Sequence, residues 1–294
     1  MAKWLVGVPT YKRPDELDRA LRSLVMQESS PKFDICIIDN DPTGSARKIA
    51  GNYAKDLHIT YLTELRPGVV HVRNRLLMEA GSYDFLAFLD DDEVAATNWL
   101  AELRSAFEKY PNAVIAGRVD YCLSDKLQCS ELAQLTFRRP STHSGAVLRT
   151  TGTGNSAIPI SSLSSEARSL RFDPKYSAVG GEDTQYFSKL ANLGYDIRAW
   201  PRARVSEIVP PDRSAPDVIR KRLRRSGHVN AMLALEEDSR AKVGVAYLAR
   251  LVAGCLFSLT SIKKERRARA IALRQSGLGG LDAVLSVSRH YYGS

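Results

Sequence analysis

The chain has 294 residues, 44% of them apolar and 26% charged, with a formal net charge of +9 at pH 7. This composition excludes a disordered or fibrous chain and is ample for one large α/β domain, with or without an appendage. The four cysteines, Cys36, Cys122, Cys129 and Cys255, fit no zinc spacing and predict reduced thiols; the opening run Trp4, Leu5, Val6 carries no export signal, so the expected site of action is the cytoplasm.

Strand-like and helix-like segments alternate along the first 120 residues. Residues 3–8 read as a strand, 14–26 as a helix with Pro14 at its start, 33–38 as a strand and 44–54 as a helix. Then come a short strand at 58–62, a helix at 69–80, a strand at 84–89, a helix at 97–110 with Thr97 as its cap, and a strand at 113–119. Repeated units of this kind build a mostly parallel sheet. Residues 120–170 are richer in Ser, Thr and Gly, as a loop-rich region facing an acceptor would be, and no linker is visible before about residue 212.

The strand at 84–89 runs into Asp90, Asp91, Asp92 and Glu93. Open α/β sheets bind ligands where strands leave the sheet, and in extended chain Asp90 and Asp92 point the same way, so they can converge on one hard cation. A polar turn whose acids favour the next helix N-terminus explains the same run. The first strand ends in Pro9, Thr10, Tyr11, Lys12 and Arg13, and the second in Asp39, Asn40 and Asp41. No GxGxxG or P-loop is present, so the expectation is a different nucleotide pocket, with strand-end acids accepting from a base or ribose, Tyr11 packing on the ring, and Arg73, Asn74 and Arg75 adding donors; Asp39–Asp41 followed by Pro42 and Gly44 also reads as a turn, and Arg73 with Arg75 as a solvated helix face. A second acid pair, Glu182 and Asp183, follows Gly180 and Gly181, whose flexibility permits a tight turn before a helix at 184–193. It reads either as a helix cap or as a general base aimed at a sugar hydroxyl.

The positive charge belongs to the C-terminal part. Residues 213–294 hold 16 Lys/Arg against 6 Asp/Glu, a net +10, whereas residues 1–212 sum to −1. Arg220, Lys221, Arg222, Arg224 and Arg225 form one cluster and Lys263, Lys264, Arg266, Arg267 and Arg269 another. Between them, residues 243–262 are apolar apart from Arg250, long enough to span a bilayer but better suited to lying on an anionic inner-leaflet surface. A core helix between solvated ends is the alternative, and the basic runs lack the interleaved aromatics of a nucleic-acid surface.

In order, VGVPTYKRP, IIDND, VRNRLL, FLAFLDDDE, GGED and KRLRRSG resemble the inverting family 2 glycosyltransferases of the GT-A fold over roughly residues 3–230, and FLAFLDDDE with GGEDTQYF is most similar to bacterial exopolysaccharide glucosyltransferases of the succinoglycan-assembly kind. The resemblance implies an α/β GT-A domain at 1–212 and a basic helical membrane-associating region at 213–294. It also implies a nucleotide-diphospho-sugar donor, most simply a UDP-sugar such as UDP-glucose, with Mg²⁺ or Mn²⁺. The acceptor would be a polyprenyl-diphosphate-linked sugar at the cytoplasmic face of the inner membrane. Asp39 would read the base, Asp90 the ribose region, Asp92 the metal, with Asp183 as base, Glu182 and Gly181 shaping its turn, and Arg224 or Arg225 assisting the diphosphate. Where relatives offer a metal-binding His after the last core strand, this chain has Ser206 and Glu207, so either of these or water would complete the shell. A nucleotidyltransferase and a non-catalytic sugar-binding scaffold are the alternatives.

Overall fold

The computed structural model describes residues 2–123, 130–137, 142–177, 179–260 and 263–286; Cys129, the last two residues of the apolar stretch 243–262, and 287–294 lie outside the described residues. In chain order the elements are β1 (Trp4–Thr10), α1 (Pro14–Val25), β2 (Phe33–Asp39), α2 (Arg47–Asn52), β3 (Ile59–Thr63), α3 (Val69–Glu79), β4 (Phe85–Phe88), β5 (Glu93–Ala95), α4 (Trp99–Lys109), β6 (Val114–Cys122) and α5 (Glu131–Phe137). They continue as β7 (Val147–Leu148), β8 (Ser156–Ile158), α6 (Ser165–Ser169), α7 (Glu182–Asn192), β9 (Ile197–Ile208), α8 (Pro216–Glu237), α9 (Arg240–Thr260) and α10 (Lys264–Val284). Two compact units divide the chain: Met1–Asp120 with Arg139–Pro174 and Glu182–Ile208, and Tyr121–Arg138 with Lys175–Gly181 and Val209–Ser294. The second unit therefore takes in two short excursions from within the first 212 residues.

Among the described residues the strands form one sheet in the order β3-β2-β1-β4-β8-β6-β9-β5, with β7 also on β9. The β3-β2-β1-β4 half is parallel, and β8, β5 and β7 pair antiparallel. All seven residues of β1 are buried, as a strand covered on both faces requires. Gly7 in its middle lets α3 come close: a methyl group there would stand 3.1 Å from Leu76 Cδ2 and 3.2 Å from Leu86 Cδ1. The register sets Thr10 beside Asp39 and Gly7 beside Phe88, so three strands deliver their polar ends to one edge. α1 starts on Pro14, carries Asp15 and Glu16 in its first turn and buries Leu17, Ala20, Leu21 and Leu24 at helical spacing. Thr97 is not the cap of α4; Asn98 precedes the helix and makes no side-chain cap bond.

Residues 150–155 return along the polar edge and are fixed by Asn155. Its φ is +56°, its Nδ2 donates to the carbonyls of Arg118 at 2.8 Å and Ala203 at 2.9 Å, and its Oδ1 accepts from Trp99 Nε1 at 2.7 Å. Gly117 is glycine because this amide occupies the place of its Cβ, 2.3 Å away. Asn155→Ala removes all three bonds, leaves two carbonyls and the Trp99 indole N–H without this partner and keeps the left-handed backbone, so we expect a loss of about 3 kcal/mol or more in urea unfolding.

Candidate functional site

The parallel strands end in four acids whose backbone is a tight turn, not extended chain. Glu93 N–H donates to the Asp90 carbonyl at 3.1 Å, and Glu93 Oε2 accepts from Asp90 N–H at 3.0 Å. The extended-chain argument for pairing Asp90 with Asp92 therefore fails, and each acid is placed by its own partner. Asp91 is buried, accepting from Thr10 Oγ1 at 2.8 Å and Arg13 Nη1 at 3.3 Å. Asp92 accepts from the same Arg13 Nη1 at 2.9 Å. Asp90 lies 3.9 Å from Arg73 Nη2. Glu93 is buried opposite Glu207 in the β5–β9 ladder, where directly paired residues share a face.

Arg73 is itself buried. It binds Glu182 in the first turn of α7 and reaches toward Asp90, so one guanidinium ties the two acid groups together. It is a buried strut and not the accessible donor expected from its place on α3. Asp183 is half-buried: its Oδ1 accepts from Thr184 N–H at 2.6 Å, and its Oδ2 faces Gly152, where a methyl group would stand 3.0 Å away. A methyl on Gly154 would stand 2.8 Å from Glu93 Oε1 and 3.4 Å from Asp90 Oδ2. Two residues of chain span at most about 7 Å, so the base candidate and the strand-end acids lie against the same short glycine segment, one at each end of it. Sequence reasoning passed over this segment; the repeated glycines of TGTGN were its one signal.

Charge explains the protonation behaviour. Burial raises Asp90, more than Arg73 lowers it, and Asp92 and Asp183 add to the rise. Burial likewise pushes Asp91 up to about 6 against the pull of Arg13 and the Thr10 hydrogen bond. Glu93 is raised well above the usual carboxylate range by burial and by Asp90, Glu207 and Asp92.

Several expected binding residues turn out to build walls. Asp39 is fully buried; its Oδ1 accepts from Asp41 N–H at 2.8 Å and its Oδ2 from Tyr61 Oη at 2.6 Å and Ala46 N–H at 3.1 Å, which closes the β2–α2 loop and leaves no face for a base. Asn40 donates to the Glu64 and Arg66 carbonyls and accepts from Gly68 N–H, each at 2.8 Å, holding the β3–α3 loop. Asn74 makes a two-way pair with the Phe172 backbone, donating at 2.9 Å and accepting at 2.8 Å. Pro9 and Thr10 end β1, and Tyr11 beyond them is 53% exposed. Gly180 and Gly181 have φ of +77° and +88°, the left-handed turn their sequence suggested. Within the second unit, Arg224 donates from Nε and Nη2 to Asp282 at 2.8 and 3.1 Å, an ion pair that already uses its guanidinium; Arg225 follows it on α8, half-buried.

Among the described residues no three His, Cys, Asp or Glu side chains form a metal cage. The donor set nevertheless suits a hard cation held by one or two carboxylates and completed by phosphate oxygens and water: Asp90 and Asp92 are adjacent acids whose mutual repulsion a divalent charge would relieve. Of the two residues standing where a histidine was expected, Glu207 is set opposite Glu93, while Ser206 Oγ donates to the Val94 carbonyl at 3.5 Å.

A parallel sheet with acids at its strand ends, and a second acid pair brought beside them, is the arrangement in which open α/β folds place a ligand site. Residues 5–167 match the model of glycosyl transferase family 2, more than half of the chain, and the chain belongs to that family. It is 29% identical over 241 residues to the succinoglycan biosynthesis protein ExoM of Rhizobium meliloti, covering 79% of this chain and 75% of that one. The fold is shared with the mannosyltransferase PcManGT from Pyrobaculum calidifontis in complex with GDP-Man and Mn²⁺, at TM-score 0.63 and 16% identity over 98% of this chain and 88% of that one. It is shared too with S. aureus TarS in complex with UDP-GlcNAc, at TM-score 0.56 and 14% identity over 94% and 90% of the two chains. Family membership favours glycosyl transfer over nucleotidyl transfer.

Two predictions test this electrostatic arrangement. Arg73→Met removes the guanidinium from buried Glu182 and is expected to cost about 3–5 kcal/mol, whereas Arg73→Met with Glu182→Leu recovers most of that loss, which a double-mutant cycle by denaturant unfolding reads directly. The second concerns pH. Asp91 lies at about 6 in the folded chain and near 3.9 when unfolded, so between those values the folded state binds more protons and stability falls as pH rises; the loss reaches about 3 kcal/mol by pH 7. In EDTA, Asp91→Asn should flatten that slope between pH 4 and pH 6.

Proposed function

We propose that the chain is an inverting hexosyltransferase that moves a sugar, glucose in the simplest case, from a nucleotide-diphospho-sugar to a lipid-linked oligosaccharide during cell-surface polysaccharide synthesis. The observation that carries the reading is the pairing of half-buried Asp183 with the Asp90–Glu93 acids across the glycine segment 152–154. A half-buried carboxylate at one end of that segment and a second acid group at the other suit a single displacement, with a base on one side and the leaving diphosphate on the other. Attack from the face opposite the diphosphate inverts the anomeric centre, and an α-linked donor gives a β-glycoside with no covalent enzyme intermediate.

Each side chain has a defined share of that work. Asp183 Oδ2, on the side of Gly152, accepts the acceptor hydroxyl proton; its Oδ1 is held by Thr184, which keeps the carboxylate oriented. Glu182 is consumed by Arg73 and serves as the anchor of the α7 N-terminus. Asp92, with Asp90 beside it, would hold Mg²⁺ or Mn²⁺, and the bound ion would neutralise the departing nucleoside diphosphate. Arg13, now on Asp91 and Asp92, would supply a positive charge for the diphosphate. Tyr11 offers its exposed ring to the base, between loops that Asp39 and Asn40 keep in shape. The ExoM relative, named for succinoglycan biosynthesis, supports a polysaccharide product, and the basic C-terminal region supports work at the cytoplasmic face of the inner membrane, where a polyprenyl-diphosphate acceptor resides.

Hydrolysis and transfer assays over a panel of nucleotide sugars test the proposal. Asp183→Asn should lower transfer by about 10²- to 10⁴-fold while leaving nucleoside-diphosphate affinity nearly unchanged. Asp92→Ala and EDTA should each abolish the metal-dependent part of both activities. A chain whose turnover survives EDTA, or whose Asp183→Asn variant keeps near wild-type transfer, has a different mechanism.

A further inference from the structure

Within the second unit, α9 is buried along one stripe only. Val243, Tyr247 and Gly254 are buried, whereas Val245, Leu248, Val252, Leu256, Phe257 and Leu259 are 49–84% exposed. Val245, Leu248, Val252, Leu256 and Leu259 advance by three or four residues per step, one continuous apolar face, with Phe257 at its flank. Residues 240–259 satisfy the length and composition of a membrane span. The packing behind them argues against that use.

Glycines weld α9 to α10 with no room for a side chain. A methyl on Gly254 would meet Arg274 N at 2.6 Å, one on Gly277 would meet Leu251 N at 2.6 Å, and one on Gly280 would meet the Tyr247 ring at 2.0 Å. α10 is fastened in turn to α8, through Gly279 against the Arg224 carbonyl and through the Arg224–Asp282 ion pair. A crossing α9 would drag with it Arg274 and that ion pair, or else tear the glycine contacts apart. Immediately beyond the exposed face stand Lys263, Lys264, Arg266 and Arg269, all exposed, with Glu265 the sole acid in 263–269. Positive charge at the edge of an apolar stripe complements anionic lipid headgroups.

We propose that α9 lies in the plane of an anionic bilayer surface, with the Val245, Leu248, Val252, Leu256 and Leu259 face inserted and the 263–269 cluster on the headgroups. This deepens the membrane attachment proposed above by fixing which face enters the lipid and that the helix does not cross. The test uses the full chain with Cys122, Cys129 and Cys255 changed to Ser and single fluorophores at Val245→Cys, Val252→Cys or Leu259→Cys. Phosphatidylglycerol-containing vesicles carry quenchers at two depths. All three labels should report one shallow depth, and Leu256→Glu with Leu259→Glu, or high salt, should reduce the bound fraction on the order of tenfold. A label deepest at position 252 means a crossing helix and overturns the proposal. So do binding that ignores Leu256→Glu with Leu259→Glu, and labels that respond to protein concentration but not to vesicles, which would make the face a contact with a second copy. Nucleotide-sugar hydrolysis measured without vesicles reports on the transferase reading separately.

Discussion

Too many carboxylates for the arginines beside them gather at the strand ends, and the remaining geometry follows from how that charge is divided. Arg13 takes Asp91 and Asp92, and Arg73 takes Glu182 while reaching Asp90. Glu93 is buried beside Asp90 and opposite Glu207, and burial first, then these like charges, raise its carboxyl well above the usual carboxylate range. Buried pairs of this kind add little net stability, because desolvation offsets most of the Coulomb gain; what they enforce is position. Arg73 cannot leave without taking its positive charge from buried Glu182, so the N-terminus of α7, and Asp183 with it, is tied to the end of β4. The sheet makes the strand ends available, and the arginine decides which acids face each other.

The parallel half of the sheet was legible in the chain because a strand covered on both faces is an unbroken apolar run: 3–8, 33–38 and 84–89 correspond to β1, β2 and β4 within one or two residues. The acid clusters were legible as clusters. Their partners were not, because the orientation of a polar side chain at a strand end depends on which loop returns past it. Asp39, Asn40 and Asn74 look alike on paper to ligand-binding groups, yet their partners are backbone atoms of Ala46, Gly68 and Phe172, and the last of these is 98 residues away. The glycine segment 152–154 was passed over for the same reason. Its glycines answer to Asp183, Glu93 and Asp90, none of them near in sequence. Alternation of side chains failed at Asp90–Asp92 because the strand ends at Phe88 and a turn begins.

In the second unit, charge and hydropathy identified a basic, partly apolar region but could not tell a span from a surface helix, since both need the same length of apolar residues. Glycine positions add what hydropathy lacks. Gly254, Gly277, Gly279 and Gly280 occur where backbone meets backbone or ring, so they record a three-helix contact that hydropathy averages away. The same residue type serves the first unit at Gly7 and Gly117, where α3 and Asn155 approach closest.

The raised carboxyls also connect stability with chemistry. Asp90, Asp91 and Glu93 hold their protons more tightly than free carboxylates do, so ionising them near neutral pH costs the fold free energy that a bound divalent cation would return. Asp92, beside them, has Arg13 on one oxygen. On the proposed reading a donor diphosphate would compete for that guanidinium, and Asp92, relieved of a positive neighbour, would hold a divalent cation more tightly, so that donor and metal would be linked through Arg13.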